Sequence, residues 1–170
     1  RSGTGALYLW NGGHLNSTGA IGNSGDMVLE DGELEAPSIS LGTNGRIRGH
    51  GYLGTTVQGT GRIDPYAAAD SFGVLNISDN LQLQNPARYL VNLGTVGGRR
   101  SDTLRVFGSA TLGGTLEIRT EPGFAPAVWD SFTVLTCGLR GGTFNNVTWN
   151  GVPLAGQAII VYRANAVRIV

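Results

Sequence analysis

The densest group of residues able to do chemistry in this chain is acidic: Asp26, Glu30, Asp31, Glu33 and Glu35 fall within one short stretch. Paired carboxylates serve as acid and base in glycoside cleavage, and clustered ones ligate calcium. Glu33 and Glu35 share one strand face at period two. Yet Glu33-Leu34-Glu35 is also the pattern of a solvated face over an inward leucine, and no Asn/Asp calcium-loop spacing accompanies it. A solvated face is expected. His14 and His50 are the only histidines, with no His, Cys or carboxylate at local ligand spacing. Zinc needs three or four converging ligands and a nucleophile relay needs Ser or Cys beside His, so surface or turn histidines are expected. Cys137 ends a strand-like run with only Arg140 nearby to activate it, which points to a buried apolar thiol. No catalytic, cofactor-binding or metal-binding residue is assigned.

The remaining patterns are weaker. Gly49-His50-Gly51-Tyr52-Leu53-Gly54 spells a dinucleotide fingerprint, but that motif must open a helix, and Thr55-Thr56-Val57-Gln58 reads as another strand. Arg46-Ile47-Arg48, with Arg62 beyond, offers a small basic ladder for an anionic sugar or lipid. Pairing of these arginines with the acidic stretch before them is the favoured expectation. Arg99-Arg100 reads as a solvated loop pair. Thr55, Thr56 and Thr60 are fragments of a threonine ladder, too few for a flat ice-binding face. Asn16, Asn76 and Asn146 begin Asn-x-Ser/Thr strings, read as chance occurrences. Tyr8, Trp10, Trp129 and Trp149 could stack on sugar rings, although aromatics at such places are expected in the core.

Composition narrows the partners. The 170 residues carry 12 acidic and 12 basic side chains, a formal net charge of +0. That balance advertises neither nucleic acid, nor an anionic membrane, nor a polyanionic substrate. Every basic residue is arginine, so lysine-to-asparagine isopeptide staples cannot form within the chain and its strands must hold by packing. One cysteine excludes an intrachain disulfide. No stretch reaches the roughly 18 apolar residues of a membrane-spanning helix, and Arg1-Ser2-Gly3-Thr4 does not read as the start of a signal peptide.

The elements that must position these groups are strands. Met27-Val28-Leu29, Ile39-Ser40-Leu41, Val74 to Ile77, Leu81-Gln82-Leu83, Leu104-Arg105-Val106, Thr115 to Ile118 and Phe132 to Leu135 are strand-sized runs, cut by some of the 28 glycines. This pattern argues an all-β sandwich, barrel or coil-upon-coil solenoid and nearly excludes helix. Asn11-Gly12, Asp31-Gly32 and Asn44-Gly45 are corner dipeptides, since both residue types tolerate positive φ. Through residue 72 the units read as very short strands stacked as rungs of a β-solenoid. Pro65 to Ser71 reads as a boundary loop. From residue 73 the predicted strands lengthen (Gly73–Leu83, Arg88–Leu93, Gly142–Phe144, Gln157–Arg163, Ala166–Val170) and the large residues multiply. The expectation is therefore two regions, solenoid coils over 1–72 and a β-rich, sandwich-like C-terminal region over 73–170 packing on them. Leu116 and Val134 are expected to face inward and Glu35 outward.

The order Gly73-Val-Leu-Asn-Ile77, Asp102-Thr-Leu-Arg-Val-Phe-Gly-Ser-Ala-Thr-Leu-Gly-Gly-Thr-Leu-Glu-Ile118, Phe132-Thr-Val-Leu-Thr136, Gly141-Gly-Thr-Phe144 and Asn165-Ala-Val-Arg-Ile169 resembles bacterial autotransporter passengers. It is similar also to repeat-rich exported proteins ending in a PEP-CTERM-type sorting tail. The likeness covers about Ile39 to Val170, with no outer-membrane barrel and no sorting tail after Val170. It implies a right-handed β-helix at the cell surface or outside the cell, without catalysis.

The functional expectation is accordingly a noncatalytic extracellular structural or adhesive module of a bacterial cell surface, sheath or filament. It needs no cofactor and self-associates through strand-like ends, with surface glycans as a further partner class, and has neither a nucleic-acid partner nor a membrane-spanning segment. The alternatives are a glycan-binding or polysaccharide-active module and a phage or delivery-fibre domain.

Overall fold

The computed structural model describes residues 5–65, 72–95 and 101–170. Arg1 to Thr4, most of the Pro65–Ser71 loop and the Arg99-Arg100 pair lie outside the described residues. The described residues contain strands and no helix, as the period-two runs require.

The order is β1 (Leu7–Trp10), β2 (His14–Asn16), β3 (Ile21–Asn23), β4 (Asp26–Leu41), β5 (Arg46–Gly59), β6 (Arg62–Asp64), β7 (Val74–Ile77), β8 (Leu81–Leu83) and β9 (Arg88–Leu93). It continues with β10 (Thr103–Val106), β11 (Ser109–Leu112), β12 (Thr115–Thr120), β13 (Phe132–Thr136), β14 (Leu139–Gly142), β15 (Asn146–Trp149), β16 (Val152–Pro153), β17 (Ile160–Arg163) and β18 (Ala166–Ile169). All belong to one mixed, curled sheet.

Three parallel ladders organise it. In the first, register partners run Leu7, Met27, Ile47, Ile63, Tyr89, Leu116, Val147. In the second they run Leu15, Leu34, Leu53, Ile77, Val106. In the third they run Ile21, Ile39, Val57, Leu81, Ala110. Rungs in such ladders lie about 4.8 Å apart, so each row is a continuous apolar seam. The inner members from Met27 through Leu116, with their counterparts in the other two rows, belong to one buried core. Burying each aliphatic side chain stabilises by roughly 1.5–3 kcal/mol, which a single rung could not achieve alone.

Corners are made without interrupting the ladders. The very short N-terminal strands expected from the glycine spacing are present as β1, β2, β3 and β6, whereas β4 and β5 are long and bend while remaining paired. Asp31, at φ 58°, turns β4. Gly49, at φ 107°, turns β5 so close to its neighbour that a Cβ there would stand 1.8 Å from the Leu29 carbonyl oxygen. Sequence spacing marks the corner but cannot reveal that backbone pairing persists through it.

The C-terminal region also departs from expectation. In place of sandwich-like packing of a second sheet, β7 to β15 continue the same three ladders, because β5 pairs with β7 and β8 while β6 pairs with β9. Gly73–Leu83 is two strands separated by a bend at 78–79. The expected strand Gly142–Phe144 instead ends at Gly142, φ 67°, and Phe144 turns into the core. The predicted strand Gln157–Arg163 begins only at Ile160. Antiparallel β16, β17 and β18 cover part of this end, with β18 pairing β13. Leu116 and Val134 are fully buried and Glu35 is partly exposed, the orientations the alternation predicts.

Candidate functional site

Alternation on the first ladder sends one row inward and the next outward. The outward row beside Met27 to Leu116 reads Asp26, Arg46, Arg62, Arg88, Thr115, Asn146. Three arginines thus occupy adjacent rungs, a repulsive arrangement unless carboxylates intervene. Two do. Arg46 hydrogen-bonds buried Asp64, and Glu117 of β12 receives Arg88 at 2.9 Å with Arg62 at 3.6 Å and Arg119 at 3.9 Å. Around Glu117, Arg62, Arg88 and Arg119 opens a cleft of about 500 Å³ whose further lining includes Thr115, Asn146, Thr148 and Pro153. Burial pulls the Arg62 guanidinium below its ordinary range, opposed by the charges of Glu117 and Asp64.

The expected pairing of arginines with the preceding acidic stretch holds for Arg48, 3.7 Å from Asp26. Arg46 and Arg62 instead pair with Asp64 and Glu117, which sequence inspection passed over. Glu117 is far from Arg62 along the chain, and only ladder register joins them.

The histidines are corrected similarly. Neither stands apart from carboxylates: His14 lies opposite Glu33 and His50 opposite Glu30. His14 Nε2 is 3.7 Å from Glu35, and His50 Nε2 is 3.2 Å from Asp31. Ligand atoms of His14, Glu33 and Glu35 lie within 4.8 Å of one another, the described residues whose geometry could hold a metal ion. The group faces solvent and Glu35 already accepts a hydrogen bond from Asn16 Nδ2 at 3.1 Å, as a solvated strand face does.

Cys137 is buried and unpaired, as expected; burial pushes its thiol up despite the opposing charge of Arg140. Gly49 to Gly54 lie inside β5, where no helix N-terminus exists to receive a pyrophosphate. Thr55 is fully buried, which removes it from any exposed threonine face. Asn76 donates to the Gly51 carbonyl of the neighbouring rung at 3.0 Å, so its side chain serves the stack.

The aromatics correct a further expectation. Trp129 is 90% exposed, Trp10 62% and Tyr8 51%, so none of the three is core. Tyr8 and Trp10 alternate outward on β1 with ring centroids 6.3 Å apart, and Trp10 pairs in register with Glu30. Trp129 and half-buried Trp149 line a second groove of about 320 Å³ with Val128, Phe132, Ile159 and Val170. Tyr8 and Trp10 take the outward positions of β1 between inward Leu7 and Leu9, and Trp129 sits in a turn at φ 78°, which keeps all three out of the core.

No helix among the described residues is long and apolar enough to cross a membrane. Comparison of the chain with protein-family models and with curated proteins finds no match.

Proposed function

We propose that the chain is a noncatalytic structural and adhesive module outside a bacterial cell, part of a surface layer, sheath or filament, wound as a right-handed β-solenoid. The observation that carries this reading is the set of three parallel ladders, visited in one order and each threaded by an apolar row. Coils that cannot bury their apolar sides singly gain length and cohesion by stacking. The likeness of Gly73 to Ile169 to autotransporter passengers supports the handedness and the location.

The proposed self-association is supported by open ladder edges among the described residues. Among the described residues β1, β2 and β3 pair only with β4, leaving an outer edge on all three ladders. At the other end β14 pairs as a strand with β11, but the Arg140 amide donates to the Ala164 carbonyl at 2.7 Å, so the open edges are those of β1, β2 and β3. Such edges recruit further strands. Light scattering and negative-stain microscopy across a concentration series should show assemblies that grow with concentration and that Tyr8→Lys with Trp10→Lys disperses. Monodisperse monomer at every concentration overturns the self-associating version.

A second reading, a glycan-binding or polysaccharide-active module, is favoured by the exposure of Tyr8 and Trp10 beside the acidic stretch and by the meeting of Trp129 and Trp149 in one groove.

A further inference from the structure

We infer that the cleft built by Arg62, Arg88 and Arg119 around Glu117 binds an acidic saccharide through its carboxylate or sulfate. Three guanidinium groups converge on one carboxylate, leaving two positive charges uncompensated inside the cleft. The neighbouring Arg46 is neutralised by Asp64 and adds nothing to that excess.

Hydrogen-bonding capacity is also in surplus. Of the three arginines only Arg88 lies within hydrogen-bond distance of Glu117; Arg62 and Arg119 approach at 3.6 and 3.9 Å, attracted but not bonded. Arg62 Nε is buried without a hydrogen-bond partner among the described residues, as are Arg46 Nε and Arg48 Nε outside the cleft, so the opening for a ligand lies in the terminal guanidinium nitrogens. A planar oxyanion entering the cleft would bond Arg62 and Arg119 through those nitrogens.

The rest of the lining selects the carrier of that oxyanion. Thr115, Thr148 and Asn146 present hydroxyl and amide groups suited to vicinal sugar hydroxyls, and Glu117 can accept from one of them. A volume of about 500 Å³ suits one or two sugar rings. Since the whole chain has a formal net charge of +0, no general field draws anions to it, and affinity for them must be local.

This inference rests on the adhesive part of the reading above and not on self-association. The test is calorimetric titration of the intact chain with an oligogalacturonate, a sulfated oligosaccharide of equal length, an uncharged malto-oligosaccharide and inorganic sulfate. Saturable binding of at least one acidic oligosaccharide is expected, weakening as salt rises, with the uncharged one silent. Arg62→Gln with Arg119→Gln should weaken it about tenfold or more, as loss of charge-assisted bonds requires. Glu117→Gln should strengthen it by removing the internal competitor, a gain that misfolding cannot imitate. Arg105→Gln, an exposed arginine of β10, should change nothing. No binding by either acidic oligosaccharide, equal binding of the uncharged one, or inorganic sulfate bound as tightly overturns the inference. A chain that assembles but ignores acidic sugars defeats it alone; a monomer that binds them defeats only self-association.

Discussion

Asp102 is almost wholly buried and accepts three hydrogen bonds, from the Gly73 and Asn92 amides at 2.9 Å each and from Asn92 Nδ2 at 2.6 Å. Those bonds favour the ionised form, but desolvation outweighs them and raises its pKa from 3.8 to about 6. A carboxyl raised in the folded state contributes most below its unfolded pKa, and that contribution fades as pH climbs through its folded value. The window is therefore pH 4 to 6, and the amount is at most about 3 kcal/mol. Denaturant melts of the natural chain and of Asp102→Asn should show their stability difference shrinking across this window. A difference that stays flat or widens would sink this account. Tyr89 makes a companion buried contact, donating its hydroxyl to the Val134 carbonyl and stacking on Phe144 at 6.1 Å.

At the scale of elements, the corners of β4 and β5 decide whether three ladders can share one strand. Gly49 has the positive φ and the crowded surroundings that exclude a side chain, whereas Gly22 in β3 has nothing within 4 Å of its absent Cβ. Gly49→Ala should lose about 2 kcal/mol or more, combining left-handed strain with collision against the Leu29 carbonyl. Gly22→Ala should remain near neutral. Thermal melts of the two variants separate these effects; equal, small losses would mean that the corner relaxes freely. Asn11-Gly12 and Asp31-Gly32 were legible as corners because their residue types tolerate positive φ, which Asn11, Gly12 and Asp31 adopt, whereas Asn44-Gly45 turns without it. The length of β4 and β5 was not legible, because pairing across a corner is a property of the neighbouring rung.

Across the whole molecule, apolar rows pass through residue 72 without interruption: Ile63 stacks on Tyr89 and Leu53 on Ile77. Regions joined through a common core unfold together. Circular dichroism and tryptophan fluorescence, which sample strands throughout and Trp10, Trp129 and Trp149 locally, should melt along one curve. Two resolved transitions would show the halves to be energetically separate. The same stacking accounts for the cleft, since each of its arginines is unremarkable on its own strand and becomes part of a charged site only when rungs lie one above another.

What the amino-acid order determined by itself was the local character of the chain: strands rather than helices, corners at Asn-Gly and Asp-Gly, inward Leu116 and Val134, outward Glu35, a buried Cys137. These follow from period-two alternation and backbone sterics, which act between residues adjacent in sequence. Only tertiary structure decided which strands became neighbours. It placed Glu117 between Arg62 and Arg88, brought His14 to Glu33 and Glu35, and left Trp10 and Trp129 outside the core. Ladder register joins residues far apart along the chain, such as Arg88 and Glu117 across 29 positions, and no local spacing encodes which strands it will join.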